Sequence, residues 1–238
     1  VTDTRTQPPA LIVLAKAPAP GVAKTRLSPP LTLAAAAAFA AAALADTVAV
    51  ARAVPGCAVR IAHPQGAESA IRAALGAAMP PCVALPAVAT ADVGAAMAWA
   101  MACAFDGGVR CVALIGGDLP SLPPAYIAAA FAALDRGADV ALGPAEDGGY
   151  YLVATREPQP ELFAGIAWST PAVFAQTAAR AASLGLAVAT LPPWYDIDGA
   201  TDLLRCARDL DADAAHPARA TRAFLAAHAA RLHAHIAE

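Results

Sequence analysis

The sequence predicts an α/β fold: a single three-layer α/β/α domain on a mostly parallel, twisted sheet. Three observations predict it. Short apolar runs of the kind that buried parallel strands use alternate with alanine-rich helical stretches. Two of those runs, Ala10 to Lys16 and Cys111 to Ile115, stop abruptly in loops that hold glycine, proline and a charged residue. The 238 residues contain no repeat or low-complexity linker and fit one large domain, 1–238.

In chain order, residues 1–9 read as a loose, polar lead-in. Ala10 to Lys16 has the continuous apolar character of a central parallel strand. It opens into A-P-A-P-G-V-A-K-T-R-L, residues 17–27, stiffened by Pro18 and Pro20 and turned at Gly21. Thr32 to about Val54 reads as a long alanine-rich helix stopped by Pro55-Gly56. Cys57 to His63 is a second strand, Ala67 to Ala77 its helix, and Val83 to Leu85 a short strand. Asp92 caps a helix through about Phe105. After the strand at 111–115 come a helix from Pro123 to Leu134 and a strand from Asp139 to Leu142. The pattern then changes: a glycine-rich acidic turn leads into an alternating strand within 143–155. Thr170 starts a helix to about Leu184, with Pro171 in its first turn. A strand over Leu186 to Leu191, a helix after the acidic segment at 196–202, and an amphipathic C-terminal helix over 217–236 complete the chain.

Composition narrows the function. Charged residues are only 15% of the chain and the formal net charge is −3, so the basic field of a nucleic-acid binder is missing. Five cysteines without C-x-x-C spacing argue against a disulfide framework or a zinc motif, and for a reducing, cytoplasmic setting. Leu11 to Ala15 is too short for an export signal. The apolar stretch Leu31 to Ala45 is shorter than a membrane span requires. Oligomeric state is left open.

The chemistry gathers around R-C-V-A-L-I-G-G-D-L-P-S-L, residues 110–122. A strand that ends in Gly116-Gly117 and then Asp118 lifts that carboxylate to the carboxyl edge of the sheet, where open α/β sheets bind ligands. Glycines admit a ligand close to the backbone, and the carboxylate suits a hard cation set against phosphate oxygens. The competing role is a cap for the helix at Pro123. Lys24 and Arg26, in the loop between the first strand and its helix, are placed to grip phosphate. That loop has Pro18 and Ala23 where G-x-x-x-x-G-K-[ST] needs glycines. Asp198, in D-I-D-G, is either a helix N-cap or a second ligand of a cation shared with Asp118. Two such like charges side by side are expected to repel and to raise one carboxylate's pKa. Glu146 and Asp147, before Gly148-Gly149, either touch an acceptor, act as a base, or make a turn. Trp168 and Trp194 are core or pocket walls.

In order, L-A-K-A-P-A-P-G-V-A-K-T-R-L, L-I-G-G-D-L-P-S-L, E-D-G-G-Y-Y-L-V-A, W-S-T and D-I-D-G-A-T-D-L resemble the DUF2064 family. That family belongs to the nucleotide-diphospho-sugar transferase superfamily of GT-A type, and the likeness runs from about Ala10 to Leu210. The A-K-T-R-L segment is similar to the phosphate-gripping loop of phospholactate guanylyltransferases. G-G-D-x-P is similar to the metal-site loop of molybdenum-cofactor nucleotidyltransferases.

The resemblance implies a Mg²⁺- or Mn²⁺-dependent transferase that takes a nucleotide sugar or nucleoside triphosphate and a small-molecule acceptor. It implies Asp118 and Asp198 as metal ligands, and Ala15, Lys16, Gly21, Lys24, Arg26, Gly116 and Gly117 as the nucleotide and phosphate cradle. It further implies Glu146, Asp147, Gly148, Gly149 and Trp168 around the acceptor or sugar, with Asp118, Lys24 and Asp147 catalytic. Glycosyl transfer from a nucleotide-diphospho-sugar stands first. Guanylyl or cytidylyl transfer with release of pyrophosphate is the alternative, and a nucleotide-binding module without catalysis the third reading.

Overall fold

The computed structural model describes residues 7–90 and 92–236. Of the expected lead-in, residues 1–6 lie outside the described residues, and Gln7 forms a parallel bridge to Val109.

Seven strands make one sheet: β1 (Ala10–Leu14), β2 (Ala58–Pro64), β3 (Cys82–Leu85), β4 (Val112–Gly116), β5 (Val140–Pro144), β6 (Tyr150–Thr155) and β7 (Val188–Thr190). Their order is β3-β2-β1-β4-β6-β5-β7. As expected for continuous apolar runs, β1 lies inside the sheet and pairs in parallel with both β2 and β4, with Leu14 opposite Gly116. The loops after β1 and β4 therefore leave the same edge side by side. β6 runs antiparallel to both β4 and β5, because the short turn at 145–149 reverses the chain instead of crossing it over.

The helices are α1 (Leu33–Arg52), α2 (Glu68–Leu75), α3 (Val93–Asp106), α4 (Pro124–Asp135), α5 (Val173–Ser183), α6 (Ala200–Ala212) and α7 (Arg219–Ile236). On one face, Leu44, Val48 and Ala51 of α1, Ile71 of α2 and Phe131 of α4 bury Leu11, Val13 and Ile115. On the other, Met97, Met101 and Phe105 of α3 cover Ile12, Leu114 and Val153. Thr32 and Asp92 cap α1 and α3 as their residue types predict, accepting from the backbone N–H of Ala35 at 3.1 Å and Ala95 at 2.7 Å. Helix α5 starts later than expected. The Thr170 hydroxyl donates to the Ala167 carbonyl at 2.7 Å and accepts from Ala172 at 3.3 Å, so it folds a turn before the helix.

α1 outruns the apolar stretch read from sequence and is, by length and composition, apolar enough to cross a membrane, with 50% of it buried within the protein. Its side away from the sheet holds α6 and α7 through Phe39, Leu203, Leu210 and Leu225, which adds a partial further layer. Asp46, in the middle of α1 and only 4% exposed, accepts from the backbone N–H groups of Ala220 and Thr221 at 3.2 and 2.5 Å. A carboxylate from one helix thus satisfies the free donors at the start of another.

Candidate active site at the carboxyl edge of the sheet

Four segments meet where β1 and β4 end. After β1, buried Ala23 and Leu27 anchor the loop and leave Lys24 between them, in the left-handed region at φ 52°. A non-glycine residue held there marks a backbone fixed by its surroundings. After β4, Gly117 runs tight against the first segment: a Cβ there would lie 3.2 Å from the Leu14 carbonyl oxygen and 3.2 Å from Leu44 Cδ1. Asp118 follows, and its position is fixed from next door. The Leu119 N–H donates to the Thr47 hydroxyl at 3.0 Å, and that hydroxyl donates to the Ala43 carbonyl at 2.8 Å.

The third segment is Tyr195-Asp196-Ile197-Asp198. Tyr195 and Ile197 are buried in the α1–α6–α7 cluster, so the alternating acids come out toward the edge. The fourth is the turn at 145–149, where the Asp147 carboxylate accepts from the Gly149 N–H at 2.8 Å.

Lys24 is the centre of the arrangement. Its Nζ lies 2.6 Å from Asp118 Oδ2 and 3.3 Å from Asp198 Oδ1, while Arg26 reaches Asp198 Oδ2 at 3.0 Å. The expected juxtaposition of Asp118 and Asp198 is present, held by an ammonium. The expected mutual repulsion is accordingly met by a cation. Neither acid caps a helix. Pro123 precedes α4 without a side-chain cap, and the carboxylate that accepts from Asp198 N–H and Gly199 N–H at the start of α6 belongs to Asp202.

Asp118, Asp147 and a third acid, Asp196, line a cleft of about 120 Å³ with Gly116, Gly149 and Tyr150. Burial lowers the Lys24 pKa, but the charges and hydrogen bond of Asp118, then Asp198 and Asp196, outweigh it and leave it raised. Asp196 carries the opposite burden. Burial, then the charges of Asp118 and Asp198, push its carboxyl up to about 6, against the pull of Lys24.

The other sequence-selected residues fall around this centre. Gly21 makes a left-handed turn at φ 75°, and Lys16 is exposed in the loop. Ala15, buried, donates its N–H to the Ala62 carbonyl at 2.8 Å. Glu146 forms a two-pronged ion pair with Arg205, at 2.6 and 2.8 Å, and Arg205 stacks 3.9 Å over the Tyr195 ring. Gly148, at φ 89°, is required: a Cβ there would sit 2.1 Å from the Pro171 carbonyl oxygen. Trp168 lies on Gly94 of α3 and meets Tyr150 edge-on at 6.4 Å, so it backs the cleft wall through that tyrosine. Sequence reasoning missed Asp196, Arg205 and Tyr150 as parts of the site. The apolar–acid alternation of Y-D-I-D was the available signal for Asp196.

The model of a bacterial protein family, described as uncharacterized protein conserved in bacteria (DUF2064), matches residues 47–170. The chain belongs to this DUF2064 family. Among solved structures it is similar to a candidate nucleotide-diphospho-sugar transferase from Desulfovibrio desulfuricans G20, at 29% identity and TM-score 0.84, over 94% of this chain and 96% of that one. A CMP:2-keto-3-deoxy-manno-octonic acid synthetase complexed with CTP shares the fold at 15% identity and TM-score 0.56, over 87% and 99% of the two chains. Rv0371c from Mycobacterium tuberculosis H37Rv, in complex with manganese, shares it at 17% identity and TM-score 0.50, over 81% and 92%. No curated protein matches.

Proposed function

We propose that this DUF2064 protein is a divalent-metal-dependent transferase that draws on a nucleotide-activated donor, first of all a nucleotide-diphospho-sugar. The observation that carries the reading is the shared ammonium: one Lys24 nitrogen within 3.3 Å of both Asp118 and Asp198, at the mouth of an acid-lined cleft. The two carboxylates are no more than ~6 Å apart by that geometry, which suits a hard cation and its oxygen ligands. Their all-oxygen chemistry fits Mg²⁺ or Mn²⁺, and Asp118 and Asp198 would hold the ion.

Bound there, the ion supplies positive charge against the donor's diphosphate. Lys24, released from the acids, and Arg26 pair with phosphate oxygens. Gly116 and Gly117 let those oxygens come close to the main chain. Asp147 faces the acceptor hydroxyl as its base, since it lines the same cleft as Asp118. The structure from Desulfovibrio desulfuricans G20, similar over nearly the full length of both chains, supports sugar transfer.

A second reading, nucleotidyl transfer, is favoured by one feature. Of the D-x-D that glycosyltransferases of this fold often carry, only Asp118 is present, with Gly116 at the first position.

The test is a product assay with Mn²⁺ on panels of nucleotide sugars and nucleoside triphosphates. Release of nucleoside diphosphate, lost in Asp118→Asn, supports the first reading. Pyrophosphate release replaces it with the second. The absence of any turnover or ligand-induced thermal stabilisation across both panels overturns both.

A further inference from the structure

The outer strands β2 and β3 carry a different donor set, separated by β1 from the β4–β6 side on which the acid cleft opens. His63 near the end of β2, Glu68 at the first position of α2 and Cys82 at the start of β3 bring a ring nitrogen, a carboxylate oxygen and Sγ within 4.8 Å of one another. The register accounts for two of them. Ile61 lies opposite Cys82 and His63 opposite Ala84, so His63 and Cys82 share a sheet face. The turn after Pro64 then carries Glu68 over that face.

His63 is 1% exposed, and its Nδ1 lies 2.9 Å from the Pro64 carbonyl oxygen. A carbonyl only accepts, so Nδ1 carries the proton and Nε2 is left with a lone pair. Nε2 is buried without a hydrogen-bond partner. A buried acceptor without a donor is costly, and an imidazole tied through its other nitrogen to a carbonyl is oriented as metal-binding histidines are.

We propose that His63, Glu68 and Cys82 bind a divalent transition ion of borderline softness, with Zn²⁺ the best chemical match. Nitrogen and sulfur donors disfavour Mg²⁺ and Ca²⁺. Tetrahedral zinc sets such donors about 3.3–3.8 Å apart, so the set closes by roughly 1 Å on binding. Glu68 supplies the movement. Its side chain is 51% exposed and its ion pair to Arg72, at 2.8 Å, is between two exposed groups and cheaply given up. On binding, the Cys82 thiol loses its proton to solvent as the sulfur–metal bond forms, His63 binds through the Nε2 lone pair, and water takes the fourth position. The ion would clip β3, an edge strand paired on one side only, to β2 and α2. This site is independent of the transferase reading.

The test is Co²⁺ titration of the metal-stripped full chain, read by thiolate-to-cobalt charge-transfer absorption, which a cleft with oxygen ligands alone does not produce. The expected result is a band saturating at one equivalent and displaced by Zn²⁺. Cys82→Ser abolishes it, and Glu68→Gln, a change at the surface, weakens Co²⁺ affinity at least about tenfold. No band in the unmodified chain, a band that survives Cys82→Ser, or unchanged affinity in Glu68→Gln overturns the proposal.

Discussion

Lys24 and Asp118 meet as ammonium and carboxylate at 2.6 Å, with the lysine side chain only 10% exposed and the aspartate 35%. The lysine holds the place between two acids that a metal ion would compete for.

Replacing Lys24 by Met should therefore separate two functions. Affinity for Mn²⁺ without nucleotide should rise severalfold, because the competing ammonium is gone. Nucleotide affinity should fall at least about tenfold, the loss of one charge-assisted phosphate contact. Calorimetry with Mn²⁺ and nucleotide separately reads both. Unchanged Mn²⁺ affinity would show that Lys24 does not guard the acids.

Asp118→Asn should destabilise the metal-free protein by about 1–2 kcal/mol, since Lys24 loses its shortest ionic partner but keeps Asp198. The raised Lys24 pKa makes its contribution fully present below 10.5, lost only as pH rises through the higher folded value. The Lys24 share of the penalty is then the same at pH 6 and pH 8, but losing the Asp118 charge also relieves ionised Asp196, so urea denaturation should show a smaller penalty at pH 8 than at pH 6. A variant as stable as the parent would restore the repulsion expected from sequence.

Asp196 gives the opposite pH signature. Its carboxyl titrates near 6 in the folded protein against 3.8 as the ordinary value. Between those values the folded state keeps a proton that the unfolded state releases, so stability falls as pH rises through the window. Asp196→Asn should be more stable than the parent at pH 7 and equal to it below pH 3.8. A stability gap that does not change with pH would remove Asp196 from the buried acid group.

Gly148→Ala and Gly21→Ala form a matched pair. Both glycines have positive φ, 89° and 75°, but only at Gly148 does a Cβ meet backbone, 2.1 Å from Pro171. Gly21→Ala should cost about 1 kcal/mol from conformation alone, and Gly148→Ala at least about 3 kcal/mol. Equal urea midpoints would mean that the two loops are not in the contact described.

Much of this was legible in the chain. The apolar runs before Ala15 and Gly116 forecast buried parallel strands, and the G-G-D stop put Asp118 at the carboxyl edge of the sheet, which the pairing of β1 with β4 makes a shared edge. What escaped depends on sums over distant residues. Asp196 is distinguished by burial and by the charges of Asp118, its neighbour Asp198, Lys24 and Asp147, three of which sit on segments far away in sequence. The capping acid of α6 is Asp202 because the backbone at Asp198 and Gly199 turns its N–H groups inward, which residue preference alone does not decide. The reversed β6 follows from the tertiary choice to fold back at 145–149.

The Asp46 cap on α7 has a consequence for synthesis. The acid is made long before residues 220 and 221, whose N–H groups it needs. At about 5–20 residues per second, ribosomes add that intervening length over roughly 9–35 s. During that interval a carboxylate destined for a dry interior has only water or a chaperone for company. The native packing of α1 therefore waits on α7, and that part of the fold is completed only once α7 has left the exit tunnel.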